Sequence, residues 1–146
     1  MTPPIAAATL GQVLVIDDNP IIQRTLYFAL RDKGYAVQMC GEISEALKIV
    51  RQGHLDAILL DLNFPPDPSV NTTSTHDGFW ALGWINRMHE VKHTPIIVVT
   101  SDPPEKSKAQ ALAAGAAAYF QKPVDKELLA ATLASLLTSK TAVAAH

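Results

Sequence analysis

Apolar residues in this chain gather into five short continuous runs, and between the runs apolar positions recur at helical spacing. Continuous runs of strand length mark a sheet buried on both faces, as parallel sheets are. Residues 12–17 form the first such strand, and Asn19-Pro20 then starts a helix, with Asn19 suited to cap and Pro20 to the first turn. Ile22, Leu26 and Leu30 are the buried stripe of that helix, which Gly34 ends. Residues 36–40 are a second, weaker strand. Ile43, Ala46, Leu47 and Val50 give the next helical face, closed by Gly53. The third strand is 56–61, followed by a long interruption at 62–77 and a helix near 78–91 carrying Phe79, Leu82, Ile85 and Met88. Strand 95–100, an alanine-rich helix near 104–114 stopped by Gly115, strand 118–121 and a helix near 125–138 complete the pattern, and 139–146 reads as a frayed tail.

Five strand–helix units imply an α/β fold with one doubly wound parallel sheet, because right-handed crossovers leave few other topologies. The expected strand order is 2-1-3-4-5, that of flavodoxin-like folds, with five helices covering the sheet. Ligands of such sheets bind beyond the carboxyl ends of the strands. Polar residues stand at those ends here: Asp17 and Asp18 after V-L-V-I, Asp61 after A-I-L-L, Thr100 after I-I-V-V, and Lys122 after Y-F-Q.

Composition narrows the classes without changing this picture. The 146 residues make about one domain, able to bury roughly two-thirds of the surface its unfolded chain exposes. With 48% hydrophobic residues, 18% charged residues and a formal net charge of -2, the chain lacks the basic excess that direct nucleic-acid or anionic-membrane binding favours. A single cysteine, Cys40, excludes an intrachain disulfide, and the N-terminal M-T-P-P-I-A-A-A-T-L has neither a basic region nor a long apolar core. A cytoplasmic location is expected.

The strand-end residues have a chemistry of their own. Asp17, Asp18 and Asp61 would gather three negative charges that repel unless a cation intervenes. Mg²⁺ fits, being hard, octahedral and satisfied by one or two carboxylates, a carbonyl, water and a phosphoryl oxygen. Thr100 offers a hydroxyl and Lys122 a mobile charge, which suit the equatorial oxygens of a transferred phosphoryl group. Together they describe phosphoryl transfer onto a carboxylate.

With these pieces the chain resembles the receiver domains of two-component response regulators. The matching segments are the acidic pair in V-I-D-D-N-P, D-L-N-F-P with Asp61, V-V-T-S with Thr100, G-A-A-A-Y with Tyr119, and Q-K-P with Lys122 before Pro123. The resemblance spans residues 11–138, leaving 1–10 as an N-terminal extension and 139–146 as a tail. It implies that Asp61 is the phosphoacceptor, taking phosphate from a phosphohistidine on a sensor histidine kinase or histidine phosphotransfer protein. It implies Mg²⁺ (or Mn²⁺) held by Asp17, Asp18, Asp61 and the backbone carbonyl of Asn63. Lys122 would pair with the phosphoryl oxygens, Thr100 would move toward them, Tyr119 would follow inward, and the small Ser101 leaves access open. Asn63 and Asp102 occupy positions that tune the lifetime of the phosphate in this family. The implied output face is the fourth helix, fifth strand and fifth helix, a surface that permits a homodimer, and the resemblance would put the exposed Ile21 on the first-helix face that meets phosphohistidine partners.

The chain departs from that pattern after Pro65, where P-D-P-S-V-N-T-T-S-T-H intervenes before Asp77-Gly78. The longer loop is either a shield or partner determinant for the acceptor, or a tolerated surface insertion. His89-Glu90-Val91-Lys92-His93 satisfies the zinc motif H-E-x-x-H literally, but Thr94-Pro95 ends any helix there and puts His93 in a turn. His54 and His76 read as surface loop residues, and Asn71-Thr72-Thr73 is a glycosylation sequon without relevance in the cytoplasm. Two rival functions are a degenerate receiver used as an interaction scaffold and an aspartate-nucleophile phosphohydrolase. The intact acidic pair, Asp61, Thr100 and Lys122 argue against the first, and the absence of a D-x-D pattern after the first strand argues against the second. A stoichiometric phosphoacceptor, not a conventional turnover enzyme, is expected; its output, alone or within a longer regulator, is open.

Overall fold

The computed structural model describes residues 10–63 and 77–144. Strands β1 (Gln12–Ile16), β2 (Ala36–Cys40), β3 (Ala57–Leu60), β4 (Ile96–Thr100) and β5 (Ala118–Gln121) alternate with helices α1 (Pro20–Arg31), α2 (Ile43–Gln52), α3 (Asp77–Asn86), α4 (Pro104–Ala113) and α5 (Lys126–Ala144). Every strand pairing is parallel, and the order is β2-β1-β3-β4-β5, as the alternation of elements predicts.

The apolar runs are continuous because both faces of the central strands are covered. Leu14, Ile16, Ile58, Leu60, Ile96 and Val98 point to one side, where Ala46 and Val50 of α2 and Leu82 and Ile85 of α3 meet them. Val13, Val15, Ala57, Leu59, Ile97 and Val99 point to the other, against Leu26 and Leu30 of α1 and Leu129 and Leu133 of α5. The period-two alternation of a strand thus feeds two cores at once. Truncating one of these residues, such as Leu59→Ala, is expected to cost about 2–5 kcal/mol. The edge strand β2 is largely exposed, which explains its weaker apolar signature.

Capping chemistry sets the exit of β1. Asn19 Oδ1 accepts from Ile21 N at 2.9 Å and Ile22 N at 3.4 Å, with Pro20 in the first turn. This fixes where the chain leaves the acidic pair and enters α1.

Three boundaries differ from the sequence pattern. β1 and β3 end a residue early and β3 and β4 begin a residue late, while β2 and β5 keep the expected bounds, so Asp17 and Asp61 lie just beyond β1 and β3. The helix expected over 78–91 stops at Asn86, where Arg87 N and Met88 N bond three residues back to Trp84 and Ile85; His89–Val91 forms a separate 3-10 turn. Gly115, at φ +116, brings its backbone so close to Asn86 that a Cβ there would collide with the Asn86 side chain. Asn86, the last residue of the helix, thus packs against Gly115, a contact that periodicity cannot register. At the other end, α5 continues through Ala144 where a frayed tail was expected, since Thr-Ser-Lys-Thr-Ala-Val-Ala contains no Gly or Pro to stop it.

His93 lies in the turn before β4, and His54 is exposed at φ 68. Most of the N-terminal extension, and residues 64–76 with the sequon and His76, lie outside the described residues. The ends of that long loop are in contact. The backbone of Gly78 meets that of fully buried Leu62 so closely that a Cβ at position 78 would overlap it. Among the described residues no helix is long and apolar enough to cross a membrane.

Candidate functional site

The carboxyl ends of β1, β3, β4 and β5 converge on one charged cluster. Asp17 follows β1, and its backbone N–H is held by the Cys40 carbonyl of β2 at 3.1 Å. Asp61 follows β3, with its N–H on the Ile16 carbonyl at 3.0 Å. Carboxylate oxygens of Asp17, Asp18 and Asp61 lie within 4.8 Å of one another, Asp17 and Asp61 buried and Asp18 exposed. Lys122, just past β5, donates from Nζ to Asp17 Oδ2 at 2.7 Å and to Asp61 Oδ2 at 3.2 Å. Its own N–H bonds the Thr100 carbonyl at 2.8 Å, and the Lys122-Pro123 peptide is cis.

Burial and charge oppose each other in this cluster. Loss of water raises the Asp17 carboxyl above its ordinary 3.8, and the neighbouring Asp61 adds to that, while the bonds from Lys122 and Asn19 only partly offset it. Burial alone would lower the Lys122 ammonium, but the bond to Asp17 and the charges of Asp61 and Asp17 outweigh it and raise it above 10.5. The asymmetry is physical: the lysine faces two carboxylates, whereas Asp17 faces one ammonium and another acid. One lysine therefore does not neutralise three carboxylates, and the cluster retains an appetite for a cation.

The donor set fits Mg²⁺. Metal–oxygen distances of about 2.1 Å place octahedral ligands about 3 to 4 Å apart, which small side-chain adjustments of these oxygens reach. Exposed Asp18 would leave a bound ion open to water, as an incompletely caged magnesium requires.

A second network adjoins the first. Asn63 N–H donates to Asp61 Oδ1 at 3.0 Å, and Asn63 Nδ2 donates to both Thr100 Oγ1 (3.1 Å) and Asp102 Oδ1 (2.9 Å). Asp102 Oδ2 accepts from Ser107 Oγ of α4 at 2.8 Å, and Lys106 Nζ stands 3.5 Å from Oδ1. Burial would raise the Asp102 carboxyl, yet Asn63, Ser107 and Lys106 together hold it below its ordinary range. Tyr119 already points inward, its hydroxyl donating to the Asp102 carbonyl at 2.7 Å.

Of the residues singled out in the sequence, Asp17, Asp18, Asp61 and Lys122 form the first cluster, and Asn63, Thr100, Asp102 and Tyr119 the second. Ser101 is exposed beside Thr100. Sequence reasoning missed Ser107, which is 3% exposed; a serine four residues before the buried Ala111, on the inward face of α4, was the available signal. Nothing local marked the bridging role of the Asn63 side chain.

A family model described as the response regulator receiver domain matches residues 13–134. The chain is 30% identical over 118 residues to the CAI-1 autoinducer sensor kinase/phosphatase CqsS of Vibrio cholerae, covering 81% of this chain but only 16% of that protein. It is 28% identical over 128 residues to Protein PilH of Pseudomonas aeruginosa, covering 88% of this chain and 98% of that one. Among solved structures, the chemotaxis response regulator CheY4 of Vibrio cholerae superposes with a TM-score of 0.72 at 31% identity, covering 88% of this chain and 99% of that one.

Proposed function

The chain belongs to the response regulator receiver family, and on that premise we propose that Asp61 is the residue that accepts the phosphoryl group. The observation that carries this reading is the shared position of Lys122 Nζ, which touches Asp61 and Asp17 at the open edge of the sheet beside Asp18. In the transfer, a carboxylate oxygen of Asp61 attacks phosphorus, the P–N bond to the donor imidazole breaks, and the nitrogen keeps the electron pair. A mixed anhydride remains on Asp61. Asp17, Asp18, Asp61 and the Asn63 carbonyl would hold Mg²⁺, which when bound offsets charge on the phosphoryl oxygens. Lys122 exchanges a carboxylate partner for a phosphoryl oxygen, Thr100 supplies a hydroxyl, and Ser101 leaves the approach unobstructed. Asn63 and Asp102 stand at the positions that in this family tune how long the phosphate survives.

The consequence is a population shift. Moving a domain from about 1:99 to 99:1 in favour of an active state takes roughly 5.5 kcal/mol of differential stabilisation, a scale within reach of a dianion bound by lysine, hydroxyl and metal. Thr100 and Tyr119 carry that change to the face of α4, β5 and α5, which meets an output partner or a second copy of the domain. The phosphoryl source is a phosphohistidine on a sensor histidine kinase or phosphotransfer protein, met on the α1 side where Ile21 is exposed. The setting is the cytoplasm, and the domain accepts phosphate stoichiometrically without turning over a substrate.

Intact-mass spectrometry after incubation with Mg²⁺ and a small acyl-phosphate donor tests this. One labile phosphoryl adduct is expected, missing from Asp61→Asn and from the Mg²⁺-free sample. An adduct that persists in folded Asp61→Asn, or none at all in the folded, Mg²⁺-binding wild type, overturns the assignment.

A further inference from the structure

The Thr100 hydroxyl is approached by donors on both of its accepting sides. Asn63 Nδ2 at 3.1 Å and Asp102 N at 3.3 Å each donate to Oγ1. A hydroxyl oxygen offers two lone pairs and one proton, so with both pairs engaged it can only donate. Thr100 is fully buried, and among the described residues its hydroxyl donates no hydrogen bond. A buried donor without an acceptor is costly, and an arriving anionic oxygen relieves that cost.

What forces this polarity is the charge at position 102. A carboxylate accepts and never donates, so the Asn63 amide must turn its nitrogen toward Asp102 Oδ1, and the same nitrogen then meets Thr100. Ser107 Oγ, donating to Asp102 Oδ2, and the Asp102 main chain, accepting from Tyr119, fix the carboxylate against α4 and β5. Without the negative charge the amide is free to turn over. Its oxygen would then face Thr100, and the hydroxyl would donate to Asn63 in place of a phosphoryl oxygen.

We propose that Asp102 is a positioning residue for phosphoryl capture: acting through Asn63, it commits the Thr100 hydroxyl as a donor to the phosphoryl group on Asp61. This rests on the phosphoacceptor reading above and deepens it, because Asp102 touches neither the phosphoryl group nor the metal. It also gives α4 a direct hold on the site, since Ser107 is anchored to the same carboxylate.

The test is calorimetric titration of the full chain with beryllofluoride in the presence of Mg²⁺, read as a dissociation constant. Asp102→Ala is expected to weaken binding about tenfold, the scale of one hydrogen bond to a charged group. The same substitution in a Thr100→Ala or an Asn63→Ala background should change the constant by less than about twofold, because the residue through which it acts is gone. An equal loss in all backgrounds, or no loss in the folded single variant, overturns the proposal. Should Asp102→Ala fail to fold, Ser107→Ala loosens the same carboxylate and is read in the same two backgrounds, with about a threefold loss expected in the single variant; no loss, or an equal one in every background, counts against the proposal. Failure of the underlying reading looks different: wild type then binds no beryllofluoride, or Asp61→Asn binds it equally well, and the positioning role falls with it.

Discussion

Lys122 and Asp17 are separated by 105 residues in sequence, and Lys122 Nζ donates to Asp17 Oδ2 across 2.7 Å. The pair ties the exit of β5 to the exit of β1 across the intervening β3 and β4, and it does so beside Asp61, since the same nitrogen reaches that carboxylate at 3.2 Å. Removing the ammonium leaves two buried carboxylates uncompensated.

Lys122→Met is therefore expected to destabilise the metal-free protein by about 3 kcal/mol, the low end for breaking a buried ion pair, because the Lys122 side chain keeps 13% exposure. Urea unfolding with and without Mg²⁺ checks this. The deficit should shrink in Mg²⁺, and an undiminished deficit would mean that the lysine and the ion do not share a role.

Mg²⁺ should stabilise the fold by mass action, about 2.7 kcal/mol at a hundred times its dissociation constant. Asp18 is exposed, so Asp18→Asn is expected to leave metal-free stability within about 0.5 kcal/mol and to remove most of the stabilisation by Mg²⁺. Thermal unfolding over a Mg²⁺ series measures both effects.

Stability should respond to pH at both ends of the scale. Lys122 lies above its ordinary 10.5 when folded, so its contribution is complete below that value and is lost as pH climbs through the folded one. Asp102 lies below 3.8 when folded, so its contribution is present above 3.8 and is lost as pH falls through the folded value. Asp17 has the opposite sign from Asp102: raised above 3.8, it favours the fold least once ionised. Chemical denaturation across pH should show Asp102→Asn flattening the acid limb and Lys122→Met flattening the alkaline one.

Two glycines in α3 should respond in opposite ways to alanine. Gly83 meets only the far end of the Arg87 side chain at 3.8 Å, so Gly83→Ala is expected to gain up to about 1 kcal/mol from helix propensity. At Gly78 the added methyl runs into the Leu62 backbone, and Gly78→Ala should lose about 1–3 kcal/mol or more. Paired urea midpoints decide the matter. The glycine after the long loop is thus held by packing against the exit of β3.

Cys40 is 4% exposed, and burial, with the charge of Glu45 nearby, pushes its thiol up to about 12 against the lowering effect of the Glu42 backbone hydrogen bond. Alkylation by iodoacetamide near pH 8 should be negligible in the folded protein and rapid in urea.

The strands were legible in the sequence because runs such as Ile96–Val99 are apolar on both sides, and only a doubly covered sheet demands that. The acidic pair, Asp61, Thr100 and Lys122 were legible because a polar residue at the end of such a run has few purposes in the core. The end of α3 was not, since Asn86-Arg87-Met88 carries no breaker and the contact Asn86 makes there is with Gly115, 29 residues beyond it. The full length of α5 was hidden for the converse reason, a polar stretch that nevertheless stays helical.

By itself the sequence determined the alternation of strands and helices, the capping of α1 by Asn19, and the supply of carboxylates, hydroxyl and ammonium at the strand ends. These depend on neighbours within one helical turn or one strand, where periodicity and backbone chemistry are decisive. Tertiary structure alone decided that Lys122 bridges Asp17 and Asp61, that Asn63 turns its amide nitrogen toward Asp102, and that Ser107 reaches the same carboxylate. Those choices are made between residues that only the strand order brings together, and each of these three donors takes the acceptor that packing leaves within about 3 Å.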